Sequence, residues 1–218
     1  MTTDEITPGG APGTAALLAH YRALLPQSPP AALKGHDDYA FLTQERADLS
    51  AVRAAVLLPV IERPAGDRGP TLLFTRRTEN LARHSGQVSF PGGRSEARDL
   101  SPVETALRET FEETGIAPQF VTVAGYLDRY LTGTGFDIQP VVGLLGEGFA
   151  LSPDAAEVAA MFEVPLAFFL DPANRRRETR LIAGRERRFY AFHYQGHEIW
   201  GATAAIIVNL ADHLADIK

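Results

Sequence analysis

The 218-residue chain is 45% hydrophobic, and its 27 acidic against 21 basic residues leave a formal net charge of -6. That is ample for a core, and it removes any global electrostatic reason for nucleic-acid binding, so an anion-binding surface must be local. No cysteine is present, which excludes disulfides, thiolate metal sites and a cysteine nucleophile and leaves oxygen or imidazole to hold any metal.

Residues 1–13 carry Gly, Pro, Thr and acids without periodicity and read as a flexible tail; they lack the basic and apolar regions of a signal peptide. No apolar run approaches the roughly 18 residues of a membrane span, so the reading is a cytoplasmic protein with no membrane partner. "TAALLAHYRALL" sets Leu17, Leu18, Tyr21, Leu24 and Leu25 at helical spacing before Pro26. "AVRAAVLLPVIE" (51–62) and "PTLLFTRR" (70–77) form a plausible hairpin across a Pro- and Gly-bearing turn.

Over Pro102–Thr114 the pattern is helical: Ser101 can cap, Pro102 suits the first turn, Glu104 completes a capping box and Gly115 can end it. Further on, "FVTVAGYLDRYL" and "DIQPVVGLLG" resemble strands around "TGTG", and "AEVAAMFEVPLAFFL" mixes a short helix with an apolar segment. The basic run "RRRETRLIAGRERR" (175–188) reads as a solvated loop, since no aromatic interleaving or DNA-reading motif accompanies it. "RRFYAFHYQGHEIW" alternates as two strands around Gly196, and "GATAAIIVNLADHLADI" is a closing helix. The hairpins argue against a purely parallel sheet. A mixed α/β sheet with helices on both faces, in one domain over 14–218, fits better.

The chemistry concentrates in "FPGGRSEARDLSPVETALRETFEETGI" (90–116). At about 100° per residue, Val103, Leu107, Phe111 and Thr114 group on one helix side and Glu109, Glu112 and Glu113 on the other. Like charges at this spacing repel. Arg108, four residues before Glu112, is one compensator; a hard divalent cation is a stronger one, and the preceding double glycine lets a carbonyl approach that cation. A solvated acidic face is the alternative reading.

"GGRSEARDLSPVETALRETFEETGI" resembles the Nudix box: Gly, five residues, Glu, seven residues, then Arg-Glu-apolar-X-Glu-Glu-X-Gly-apolar. It departs at three points: Asp99 stands for the first Glu, eight residues separate it from Arg108, and Thr110 replaces an apolar residue. The bacterial coenzyme A pyrophosphatase-like Nudix proteins are similar in the aspartate and the extension. "LLFTRRTENLARHSGQVSFPGG" (72–93) looks like their signature before the box, departing at Thr78 and at Ala82, where Arg is usual and neighbouring Arg83 can serve instead. The likeness covers most of residues 50–215.

This resemblance implies a Nudix-type α/β/α sandwich with a mixed central sheet, hydrolysing a diphosphate with Mg²⁺ or Mn²⁺ as cofactor. Glu109 and Glu113 are the implied first ligands, Glu112 the next, and the Gly93 carbonyl completes the set. Glu112, Arg108 and Glu109 are the implied catalytic group, with Arg108 orienting a glutamate. The water-activating base stays open between a helix carboxylate and a later acid such as Asp154 or Glu157; Glu96 and Asp99 rank lower as outer ligands. The implied substrate is coenzyme A or acyl-CoA, bound by Arg76, Arg77, Arg83 and Arg94, with ADP-ribose, a dinucleotide or a non-catalytic nucleotide-binding role as alternatives. His84 and Gln87 are read as holding a loop or touching substrate, His193 and His197 as surface or structural residues. Trp200 is read as core or as a base-stacking ring, and the 175–188 run can alternatively approach the adenosine phosphates from the side opposite the box. A monomer or homodimer is expected.

Overall fold

The computed structural model describes residues 12–31, 51–63, 69–79, 86–182 and 184–215. The expected tail therefore falls almost wholly outside the described residues, as do Ala82, Arg83 and His84. Helix α1 (Pro12–Leu24) stops just before Pro26; its Tyr21 and the following Leu25 are buried. Gln27 then donates to the carbonyl of Ala124 at 3.0 Å, tying the helix end to the sheet.

Strand β1 (Val52–Ile61) is the frame of that sheet. At its far end it pairs antiparallel with β2 (Thr71–Arg77), the expected hairpin; at its near end it pairs with β4 (Gly92–Arg94). Along its other edge β7 (Phe136–Leu145) runs parallel, from Val52 opposite Phe136 to Ile61 opposite Leu145. Parallel neighbours need a crossover, and the intervening chain carries helix α2 (Pro102–Thr114) across one face. Strands β3 (Val88–Ser89) and β8 (Val158–Pro165) pair with β2, while β5 (Val121–Tyr126) and β6 (Tyr130–Leu131) pair with β7. The result is an eight-stranded mixed sheet.

Successive strand residues face opposite layers, and β1 uses both. Ala55 and Leu57 pack with Ala106 of α2, whereas Leu58 and Val60 join Tyr21, Leu25, Ile207 and Leu210 on the side of α1 and of α4 (Gly201–Ala215). Leu57 and Leu58 are fully buried, each contributing about 1.5–3 kcal/mol of transfer free energy. This is the expected α/β/α sandwich.

Two local readings resolve differently. "AEVAAMFEVPLAFFL" divides into strand β8, with Phe162 opposite Phe74 of β2, and a short helix α3 (Leu166–Leu170). The basic run is not a solvated loop: it forms β9 (Arg176–Ile182) and the start of β10 (Arg185–Tyr194), which with β11 (His197–Trp200) make a separate antiparallel three-stranded sheet. Its charges are tolerated because one face is open to water and carries opposite partners. Arg180 bonds both Glu178 and Glu198, and Glu178 meets His193 at 2.7 Å. The β10–β11 turn is the expected one, with Gln195 and Gly196 both at positive φ (47° and 83°) as a two-residue type I′ turn requires. Among the described residues, no helix is long and apolar enough to cross a membrane.

Candidate active site

Helix α2 starts and ends as its sequence dictates. The Ser101 hydroxyl accepts the Glu104 N–H at 3.2 Å, and Gly115, at φ 76°, sends its N–H back to the Phe111 carbonyl. The buried face is not the one expected. Thr105, Ala106, Thr110, Glu113 and Thr114 are buried, Val103 and Leu107 flank them, and Phe111 is 52% exposed. Hydroxyls can take this interior face because they are satisfied there: Thr110 and Thr114 donate at 2.6 Å to the carbonyls of Ala106 and Thr110. Thr110 thus replaces an apolar residue at no cost in unpaired groups.

The same rotation splits the acid face. Glu113, 5% exposed, faces β4 and accepts the Gly92 N–H at 3.2 Å, with Arg77 at 3.4 Å. Burial pushes its carboxyl up to about 7, reinforced by Glu109 and Glu157 and only partly opposed by Gly92 and Arg77. Glu109 is shifted upward by burial too, against the pull of Arg108. Its carboxylate lies against Gly93, where a Cβ would come within 2.5 Å of it. Glu112 is outermost, held by Arg108 at 3.0 Å and Arg98 at 3.5 Å.

Arg108 organises this face. It donates to Glu109 and Glu112 at 3.0 Å, to the Arg94 carbonyl at 2.9 Å, and in a two-bond fork to Asp99 at 3.0 and 2.9 Å. Asp99 also accepts from the Glu96 N–H and the Thr105 hydroxyl, and the Arg108 fork holds its carboxyl well below the usual carboxylate range. So committed, Asp99 braces the box loop. Glu96 stays at the surface, paired with Arg98 at 2.8 Å.

Of the two later acids, Glu157 reaches the site and Asp154 does not. Backbone bonds from Ser152 to the Thr114 carbonyl (2.8 Å) and from Asp154 to the Glu113 carbonyl (3.1 Å) pin this loop to the end of α2. The Asp154 carboxylate caps Ala156, whereas Glu157 meets Arg77 at 3.4 Å.

Beside the glutamates opens a cavity of about 690 Å³. Gly92, Gly93, Arg77 and Arg94 line one side, with Arg94 over the Phe136 ring at 5.2 Å. Arg76 is not among the lining residues, and Arg83 lies outside the described ones. Arg187, Arg188, Tyr190 and Trp200 line the cavity as well, in keeping with the alternative reading in which the 175–188 run approaches the substrate; the loop reading of that run overlooked the alternation of charged residues along "ETRLI", a strand signal. Gln87 is a lining residue, His197 stacks on Phe162 at 3.7 Å, and His193 serves Glu178.

The NUDIX domain model matches residues 52–190. This chain belongs to the Nudix hydrolase family, which acts on diphosphate bonds and generally uses a divalent metal. It is similar to the protein described as uncharacterized Nudix hydrolase NudL of Photorhabdus laumondii, 45% identical over 161 residues covering 74% of this chain and 84% of that one. The NudL protein of Pectobacterium atrosepticum is 43% identical over 169 residues, 75% of this chain and 83% of that one. Two solved structures show the same fold: the Nudix hydrolase RenU of M. smegmatis (TM-score 0.52, 19% identity, 77% of this chain and 88% of that one) and a MutT/nudix family protein of Enterococcus faecalis (TM-score 0.52, 15% identity, 93% and 74%).

The residues of α2 fit such a metal. A buried carboxylate flanked by two others, with only an amide and a long arginine contact opposing it, lacks positive charge, and glutamate oxygens are the donors that Mg²⁺ and Mn²⁺ prefer. Each glutamate is turned to a protein donor instead of a shared point. Among the described residues, the one His/acid group with ligand atoms all within 4.8 Å is Glu178, His193 and Glu198. Arg180 already supplies both of those acids with a cation.

Proposed function

We propose that the protein is a metal-dependent Nudix hydrolase cleaving the diphosphate of coenzyme A or acyl-CoA to 3′,5′-ADP and (acyl-)4′-phosphopantetheine. The observation that carries it is the charge-deficient Glu109–Glu113–Glu157 cluster at the edge of an arginine-bearing cavity. The narrower choice of substrate rests on the sequence from Leu72 to Gly93, which looks like the coenzyme A pyrophosphatase signature.

Glu109 and Glu113 would hold the ion, with Glu112 and the Gly93 carbonyl completing its protein contacts. Bound there, Mg²⁺ or Mn²⁺ supplies charge neutralisation of the phosphoryl oxygens and acidification of water. Arg108 keeps the Glu109 carboxylate in place by its 3.0 Å bond, and its own position is fixed by Asp99. Glu157 is the proposed proton acceptor for the attacking water, because its loop is pinned beside Glu113 while Asp154 is spent on a cap. Arg94 and Arg77 face the cavity where the diphosphate would sit.

The test is release of 3′,5′-ADP from coenzyme A beside turnover of ADP-ribose, with Mg²⁺ or Mn²⁺. Faster ADP-ribose turnover moves the substrate to another nucleoside diphosphate. Binding without hydrolysis across a panel of diphosphates makes the chain a nucleotide-binding module.

A further inference from the structure

The cavity has a second pair of cations. Arg187 and Arg188 of β10 line it together with Trp200 and the first turn of α4, Gly201–Thr203. Thr203 fastens that turn to the sheet by donating to the Val88 carbonyl at 3.2 Å. Three other arginines of this small sheet and its approach are engaged, Arg180 by Glu178 and Glu198, Arg175 by Asp212 and Arg177 by the Tyr190 hydroxyl, while Arg176 does not line the cavity. Among the described residues neither Arg187 nor Arg188 has a carboxylate partner. In a chain of net charge -6, two cavity-lining arginines without a carboxylate partner are an unspent charge.

Their chemistry fits one kind of anion. A guanidinium fork matches phosphate oxygens with two parallel bonds, and the opening N–H groups of a helix lack partners within it and favour negative charge. Much of the remaining lining is apolar or aromatic, including Tyr130, Phe136 and Ile138, as suits an organic spacer and not a continuous polyphosphate. At about 690 Å³ the cavity has the volume of a small-molecule site.

We propose that Arg187 and Arg188 form a second anion subsite that takes a phosphomonoester carried by the substrate away from its scissile diphosphate, making this pair the specificity determinant of the site. The proposal rests on the diphosphate-cleaving reading above, and for recognition of the distal phosphate it favours the basic run over the arginines before the box.

The experiment compares wild type with R187Q/R188Q on coenzyme A and on 3′-dephospho-coenzyme A, which share the diphosphate and differ by that one phosphomonoester. Circular dichroism and a thermal melt establish that the variant is folded; if the pair fails to fold, R187Q and R188Q are measured singly. Wild type is expected to prefer coenzyme A in kcat/KM, and the preference to fall about tenfold or more in the variant, through KM and not kcat. Equal treatment of the two substrates by wild type, or an undiminished preference in the variant, overturns the proposal. Should wild type cleave neither substrate, the hydrolytic reading fails on its own, and calorimetric binding of 3′,5′-ADP against 5′-AMP decides the subsite. Tighter binding of the bisphosphate that is lost in R187Q/R188Q supports it, and equal binding sinks it.

Discussion

Asp99 and Arg108 meet through two parallel hydrogen bonds, Nε to Oδ1 at 3.0 Å and Nη2 to Oδ2 at 2.9 Å, with the Asp99 side chain 4% and the Arg108 side chain 14% exposed. The pair joins the box loop to the helix that carries the glutamates. It also makes the shorter aspartate sufficient where the family pattern has a glutamate.

Asp99→Asn removes one partner of this buried pair and is expected to cost about 3 kcal/mol at neutral pH. Its pH dependence has a definite sign. The folded carboxyl titrates below its unfolded value, so the stabilisation is fully present above about pH 3.9 and is lost as the pH falls from there through the lowered folded value. Urea melts of both proteins should show a constant gap from pH 8 to 5 that narrows at the acid end; a gap unchanged at the lowest pH would contradict the assignment. Turnover should fall about tenfold or more, because Arg108 loses its anchor.

The two box glycines should fail differently. At Gly92 (φ 150°) a Cβ would sit 2.4 Å from the Ala55 carbonyl oxygen, a backbone clash in the sheet, so Gly92→Ala should lower stability by several kcal/mol, on the order of the strain and overpacking penalties combined. At Gly93 the obstruction is the flexible end of Glu109, so Gly93→Ala should fold with little loss of melting temperature yet lose most of its turnover. Melting curves and assays on both variants check the contrast.

Among the helix carboxylates, burial sets the order. Glu113→Gln and Glu109→Gln should each lower turnover by about 100-fold or more by removing charge where the ion would be held. Glu112→Gln, half exposed and paired only to arginines, should lose less. Steady-state rates with Mn²⁺ titrated over each variant give both kcat and apparent metal affinity; an equal loss at all three positions would remove the distinction.

Thr110→Val tests whether the polar residue in the buried face is structural and nothing more. Its hydroxyl bonds a carbonyl within its own helix, so the swap strands no partner and should change stability by about 1 kcal/mol or less, with turnover retained.

Much of this site was legible because its signals are local. Capping at Ser101 and Gly115, the i to i+4 pairing of Arg108 with Glu112, and the strands flanking the box depend on neighbours in sequence. The buried face of α2 was not legible, since periodicity of apolar residues cannot show that threonine hydroxyls are satisfied by carbonyls four residues back, leaving Phe111 outside and Glu113 inside. The basic run was legible only as an alternative: Arg187 and Arg188 stand far beyond the box in sequence, and the pairing of β9, β10 and β11 is what turns the run into part of the cavity lining. Choosing Glu157 over Asp154 likewise depended on which carboxylate was already used as a cap.

The loop bearing Glu157 is held to the end of α2 by main-chain bonds at Ser152 and Asp154, and to Thr78 beyond β2 by that residue's N–H on the Glu157 carbonyl and its hydroxyl on the Ala156 carbonyl. Each of these bonds uses the loop's own backbone, so its docking is indifferent to most side chains along it. A proline at Ser152 or Asp154, by deleting a single N–H, should loosen the loop's hold on α2 more than a change of side chain at the same position.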